Sequence, residues 1–456
     1  MMSNSNFVRN IADRVGEVLA DERLTRIDGF SDASGSEQLL ARETARAEVA
    51  RALALAPSDT WPPLDEESLV EEVIALVLGL GRLETLLNDP DVSDIHVRGA
   101  DSVWVKLRDG TRERRTPIVE SDEELIELIR RCATRFSRTE KRFDAGTPEL
   151  NMQLPDGSRL FAVMEVSTRP SLIIRRHRFE LSSLDELRTR EVFDHGVQSL
   201  LAAIVRAKRN VVIAGGTGSG KTTLLRALLN EVPATERIVT IEDAYELGLE
   251  HFAERHPDYD ALQSRGANIE GEGEITLADL TRMALRMDPD RVIVGEVRGA
   301  EAFPMLMAMS QGNNGSMCTM HADGARSVFP KLAAYVSMAS TGLPVETVNV
   351  LVASAVHFVV FIENLDGRRS VASIREVVDT DGVQVVSNEV VTRGSDGRYE
   401  WLFPLRATTE ALLREHGYQR PERVALVRRT SHSLPSALAP SSALASSSCS
   451  PRNVAR

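Results

Sequence analysis

The sequence predicts an α/β fold whose second half is a mostly parallel sheet, preceded by a smaller α+β domain. Three observations carry that expectation. "VVIAGGTGSGKTTLLRALLNEV" (211–232) places an all-apolar strand, a glycine loop and a helical run in succession. An all-apolar strand suits the centre of a sheet covered on both faces. "RIVTIED" (237–243) and "RVIVGEVRG" (291–299) repeat the apolar strand, each ending in acid. Further upstream, "DIHVRG" and "SVWVKLRDG" alternate like half-buried strands that end in turns.

Taken in order, residues 1–65 read as a helical extension, interrupted by a polar break at 28–38 and a Pro-rich one at 56–68. Residues 66–178 form the α+β part. "SLVEEVIALVLGLGRLETLL" has helical spacing, and "ESDEELIELIRRCATRF" (120–136) is an amphipathic helix that starts on acids. "LNMQLPDGSRLFAVMEV" then turns at its "PDG". Residues 182–210 read as helical, with Ser183 and Glu186 spaced as a capping box. Residues 179–430 make up the parallel-sheet domain, and 431–456 a Ser/Ala/Pro-rich tail too poor in apolar residues to order itself.

The composition narrows the function classes. Of 456 residues 42% are hydrophobic and 27% charged, as in a soluble globular chain, and the formal charge is −13. That balance, with 5% aromatic residues, gives no global pull toward nucleic acid and no stacking platform, so no stable nucleic-acid binding is expected. Three distant cysteines, Cys132, Cys318 and Cys449, form neither a metal-ligand spacing nor a disulfide framework and fit a reducing cytoplasm. The start carries Asp13, Arg14 and Glu17 and lacks a signal peptide's apolar core. The stretches at 73–81 and 348–365 are short of the ~20 uninterrupted apolar residues of a spanning helix, so both read as buried core elements.

The chemistry starts at the glycine loop, which matches G-x-x-x-x-G-K-[ST] in full. The candidate nucleotide site is Gly215, Gly216, Thr217, Gly218, Ser219 and Gly220, with Lys221, Thr222 and Thr223 opening the helix behind. Glycines let backbone N–H groups face phosphate oxygens at a helix N-terminus. Lys221 supplies a point charge for the β- and γ-phosphates of ATP, and the Thr222 hydroxyl can hold Mg²⁺. Hydrolysis also needs a carboxylate that orients water. Glu242 and Glu296, each at the end of an apolar strand, are the two candidates. Gly295 stands where many P-loop ATPases carry an Asp, so metal support falls to Thr222, with Asp243 or Glu296 acting through water.

"GGTGSGKTTLL", "TIEDAYEL", "LRMDPDRVIVGEVRG" and "SQGNNGSMCTMHADGA", in that order, resemble the Walker A, Asp, Walker B and His boxes of the type II/type IV secretion ATPases. "GLGRLETLLNDPDVSDIHVRG", "LPDGSRLFAV", "LIIRRHRF" and "RRSVASIREV" are similar to the CpaF branch, the motors of Flp/Tad pilus assembly. The resemblance spans about residues 66 to 405. It implies a RecA-like P-loop ATPase domain behind a smaller N-terminal domain, with ATP bound between the two. It also implies a homohexamer, cytoplasmic and peripherally attached to the inner membrane through platform proteins. Arg159 and Arg175 match family arginines at the domain junction, placed to reach the γ-phosphate, and His321 matches the His-box histidine, a γ-phosphate sensor or subunit contact.

Two departures stand out: Asn313 where an earlier His-box histidine is usual, and Ala244 where the Asp box often has proline. The leading expectation is an ATPase that powers pilus assembly or secretion. The alternatives are the ATPase of a conjugative or effector type IV system and a nucleotide-gated scaffold ring with little hydrolysis, for which Asn313 is the only foothold.

Overall fold

The computed structural model describes residues 33–55, 66–77, 80–136, 141–154, 156–176, 182–268 and 270–421, with scattered positions between 7 and 18. The tail expected at 431–456 lies outside the described residues. α1 (Ala33–Leu55) and α2 (Glu66–Val77) pack through Ala41, Ala45, Val49, Leu69, Val70 and Val73. Arg42 and Arg46 reach Glu67 across the pair at 3.0 and 2.9 Å. α1 begins inside the break expected at 28–38. Gly and Ser weaken helix interiors, but the first turn has no intrahelical N–H bonds to lose. The helical run expected from 68 is divided as well: Gly81 adopts φ 58° and α3 (Arg82–Asn88) starts afresh.

The α+β unit follows: β1 (Val92–Arg98), β2 (Ser102–Leu107), β3 (Arg112–Arg115), α4 (Asp122–Phe136), β4 (Glu149–Gln153), β5 (Arg159–Val163) and β6 (Ser171–Arg175). The six strands are antiparallel in the order β3-β2-β1-β6-β5-β4. Strand alternation puts Ile95, Val97, Val103, Val105, Leu160 and Ile174 in one core with Leu125, Leu128 and Ile129 of α4. The opposite face carries a row that crosses every strand: Arg112, Lys106, Asp94, Arg175, Arg159 and Gln153.

Residues 182–210 give two helices rather than one, α5 (Leu184–Thr189) and α6 (His195–Arg206). The second begins because Asp194 accepts from the Val197 N–H at 2.8 Å. Ser183 caps α5 through the Glu186 N–H, while the Glu186 carboxylate pairs with Arg190, so only half the expected capping box forms.

The large sheet contains β7 (Val211–Gly215), β8 (Ile238–Glu242), β9 (Tyr259–Gln263), β10 (Arg291–Val297), β11 (Met317–His321), β12 (Phe358–Leu365), β13 (Arg368–Thr380), β14 (Val385–Arg393) and β15 (Tyr399–Trp401). Its nine strands run β15-β14-β13-β12-β7-β11-β10-β8-β9, parallel from β12 to β9 and antiparallel beyond β12. Helices cover both faces. α7 (Lys221–Leu229) joins α6 over Val211 and Ile213. α8 (Leu277–Ala284), α9 (Ala302–Ser310), α10 (Val328–Met338) and α11 (Val345–Ala355) pack over Val212 and Ala214. α12 (Ala407–Glu415) closes the unit.

The apolar stretch at 348–365 therefore divides between α11 and β12. At the junction His357 accepts from the Asn210 N–H at 3.0 Å, and burial pushes its imidazole down to about 4, which keeps it a neutral acceptor. Among the described residues no helix is long and apolar enough to cross a membrane.

Candidate nucleotide site

β7 is buried along its whole length, and its last residue has no room for a side chain: a Cβ on Gly215 would lie 2.2 Å from the Ile362 carbonyl oxygen. The loop then turns through left-handed backbone at Gly218 (φ 72°) and Gly220 (φ 101°) before α7 begins at Lys221. Thr222 and Thr223 lie in that first turn, half-buried. Gly216, Thr217 and Gly218 are exposed at the loop's outer side, while Ser219 is buried and its hydroxyl has no hydrogen-bond partner among the described residues. Lys221 Nζ donates to the Gly215 and Gly216 carbonyls at 3.2 and 2.9 Å, and burial lowers its pKa. The ammonium thus braces the loop while standing at the mouth of the helix dipole.

β11 pairs with β7 so that His321 lies opposite Gly215. Its Nδ1 is 3.3 Å from Lys221 Nζ and its Nε2 is 2.8 Å from Glu296 Oε1. An ammonium can only donate and a carboxylate only accept, so these contacts fit the neutral Nε2–H tautomer. Lys221, His321 and Glu296 form one continuous chain.

The two candidate glutamates separate here. Glu242 is 3% exposed, and its Oε2 accepts from the Glu246 and Leu247 N–H groups at 2.7 and 2.8 Å. Thr240 Oγ1 reaches the other oxygen at 3.3 Å. Burial pushes this carboxyl up to about 7, against those backbone donors. Glu296 is partly exposed beside His321.

Asp243 is heavily engaged: Arg298 lies 2.7 Å away, Ser264 Oγ donates at 2.8 Å and Arg159 Nη2 at 3.2 Å. Burial alone would raise it, but Ser264, Arg298 and Arg159 together hold it below the usual carboxylate range. Arg159 also approaches Glu246 at 3.5 Å, and Gln153 donates to the Tyr245 carbonyl at 3.2 Å. The β4–β5 edge of the small sheet is thereby fastened to the loop after β8. Arg175 sits beside Arg159 in register and is exposed, with Asp94 opposite on β1. Arg159 joins the acidic loop, while among the described residues Arg175 forms no ion pair with it.

Sequence reasoning missed Glu246, Arg298 and Arg369, the last of which touches the P-loop from the β12–β13 hairpin. It also left Asn313 open. Asn313 lies before the N-terminal end of β11, the edge opposite the P-loop, and donates to the Pro289 carbonyl at 2.6 Å. It lies between two turns.

Among the described residues no group of three or more His, Cys, Asp or Glu could hold a metal unaided. Mg²⁺ sites commonly use one or two protein oxygens completed by substrate phosphates. Thr222 opens α7 behind the loop, Glu296 lies near the end of β10, and Asp243 follows β8, where Ser264, Arg298 and Arg159 already engage it.

The sequence profile described as type II/IV secretion system protein matches residues 78–430. The chain belongs to that family. Within it, this secretion-system protein is 38% identical over 327 residues to a Mycobacterium tuberculosis protein named for conjugal transfer, covering 69% of this chain and 90% of the relative. It is 30% identical to the type IV secretion system protein PtlH of Bordetella pertussis, covering 67% of this chain and 95% of that one. Among solved structures, it is similar to the VirB11 ATPase of the Brucella suis type IV secretion system in complex with sulphate. That match has 27% identity, covers 66% and 96% of the two chains, and has a TM-score of 0.35. The Legionella pneumophila ATPase DotB matches at 21% identity over 66% and 80% of the chains, with a TM-score of 0.47. The protein is an α/β secretion-family member with a P-loop domain behind a smaller α+β domain.

Proposed function

We propose that the chain is an ATP-hydrolysing motor that works as a homohexamer and drives Flp/Tad-type pilus assembly or protein secretion through inner-membrane platform proteins, from the cytoplasmic side. The observation that carries this reading is the Lys221–His321–Glu296 chain closing on a complete P-loop, with Arg159 reaching in from the other domain. The upstream segments that are similar to the CpaF branch support the pilus assignment. The names of the relatives, drawn from conjugal transfer and type IV secretion, support the broader one.

In this reading the amides of Gly216 to Gly220 and the α7 N-terminus receive the β-phosphate, and Lys221 turns from the loop carbonyls toward the β/γ-oxygens. Thr222 would hold Mg²⁺, with Asp243 or Glu296 supporting through water, and the bound ion would supply charge neutralisation at the phosphates. Glu296 orients the attacking water. It is exposed to the site and linked to His321, whereas both Glu242 oxygens are already bound inside the fold. His321 reports the γ-phosphate through Lys221. Arg159 leaves Asp243 and Glu246 for the phosphates, which would couple nucleotide to domain closure, and Arg175 joins it from the same sheet face.

We favour the motor over a scaffold ring, and the Asn313 contact with the Pro289 carbonyl, at the sheet edge opposite the loop, supports that preference. Comparing Glu296→Gln with Glu242→Gln tests the assignment. The first should bind ATP normally and lose turnover by at least about a hundredfold; the second should keep most of it. The reverse pattern would exchange the two roles.

A further inference from the structure

β12 and β13 form a hairpin that turns at Asp366 and Gly367, both left-handed at φ 51° and 83°. β12 is the direct neighbour of β7, so the tip of this hairpin stands beside the P-loop. Its return strand opens with Arg368 and Arg369, both exposed. Arg369 Nε donates to the Gly218 carbonyl at 3.3 Å. Its Cδ lies 3.1 Å from where a Cβ on Gly220 would sit, so a side chain at Gly220 would displace the arginine.

One hydrogen bond to a carbonyl accounts for the Arg369 Nε–H but leaves its full charge unbalanced beside an already positive loop. Loop amides and a helix N-terminus already create positive potential, Lys221 adds a full charge, and Arg369 adds another. Among the described residues no carboxylate forms an ion pair with Arg369. Its Nε bond leaves the two terminal nitrogens of the guanidinium uncommitted to any described side chain. A planar fork held at the rim of an anion cradle is matched to phosphate oxygens.

We propose that Arg369 is a nucleotide-binding residue, which grips from the hairpin side the α/β-diphosphate common to ADP and ATP. This rests on the nucleotide reading of the P-loop and names a ligand contact that the four boxes do not contain. Lys221 and His321 serve the γ end, and Arg369 serves the end shared by substrate and product. A contact of that kind strengthens binding in both states and leaves the chemical step largely alone.

The test uses the full chain and fluorescently labelled ADP and ATP as probes, with Arg369→Gln, Arg369→Lys and Arg368→Gln beside the wild type. Arg369→Gln should weaken both nucleotides to the same extent, by about tenfold, the loss of one charge-assisted pair. It should raise KM for ATP while kcat stays within about threefold. Arg369→Lys should recover part of the loss, and Arg368→Gln should bind like wild type. Unchanged ADP affinity in Arg369→Gln would overturn the proposal, as would a loss confined to ATP. It would also fail if the loss came with a lower unfolding midpoint of the nucleotide-free protein, which would mark Arg369 as a brace for the loop. If the wild type itself binds neither probe, it is the nucleotide reading that fails.

Discussion

Replacing Glu242 with glutamine should stabilise the protein at pH 8 and leave it nearly unchanged at pH 5. Glu242 is buried among the β8–β10 strand ends, and burial pushes its carboxyl from 4.5 up to about 7. Between those values the folded chain holds a proton that the unfolded chain has released, so stability falls as pH rises. That rise is worth about 3 kcal/mol once both states have ionised, and most of it accrues between pH 5 and pH 8. Glutamine suits the site. Its carbonyl can accept from the Glu246 and Leu247 N–H groups, and its amide can donate to the Thr240 hydroxyl. Other titrating groups are common to both proteins and cancel in the difference. Urea unfolding followed by tryptophan fluorescence, with Trp401 inside this domain, should give a stability difference that grows by about 2 kcal/mol from pH 5 to pH 8. Parallel curves, or a glutamine variant that is weaker at pH 8, would refute the burial argument and return Glu242 to the list of catalytic candidates.

Four further outcomes follow from the same geometry. Gly215→Ala should cost at least about 2 kcal/mol in a denaturation series and abolish nucleotide binding, because its Cβ would meet the Ile362 carbonyl at 2.2 Å. Gly216→Ala, with nothing within 4 Å, should stay within about 0.5 kcal/mol of wild type and still bind. Arg159→Ala should lower kcat by about a hundredfold in a steady-state assay while changing nucleotide affinity much less. Asn210→Ala should destabilise by about 3 kcal/mol or more on the same denaturation scale. That buried amide donates to Met309 and Ala355 and accepts from Gly315 and Ser316, tying the ends of three elements together.

The central sheet was legible because its strands are apolar on both faces, and a parallel sheet sandwiched by helices demands that. The glycine loop was legible because few other arrangements need those residues at that spacing. What escaped depends on tertiary neighbours. Glu242 and Glu296 end similar strands, and only the fold shows the turn at 244–247 closing back onto Glu242 while Glu296 stays partly exposed beside His321. Arg298 follows "GEV" and Arg369 follows "DGR". The Asp-Gly pair marks a hairpin turn, but no local pattern says that this turn stands beside residues 218–220. The antiparallel extension β13–β15 mixes buried and exposed positions with bulges, so its period is blurred. The division of 182–210 had a readable signal in Asp194, a good N-cap residue, which the helical spacing around it concealed.

The most direct test is steady-state ATP hydrolysis by wild type and Lys221→Ala across a protein concentration series, with nucleotide binding measured on the same samples. A hexameric motor gives turnover that rises as copies assemble and is lost in the variant. Wild type that binds ATP yet turns it over no faster than Lys221→Ala at any concentration would contradict the motor.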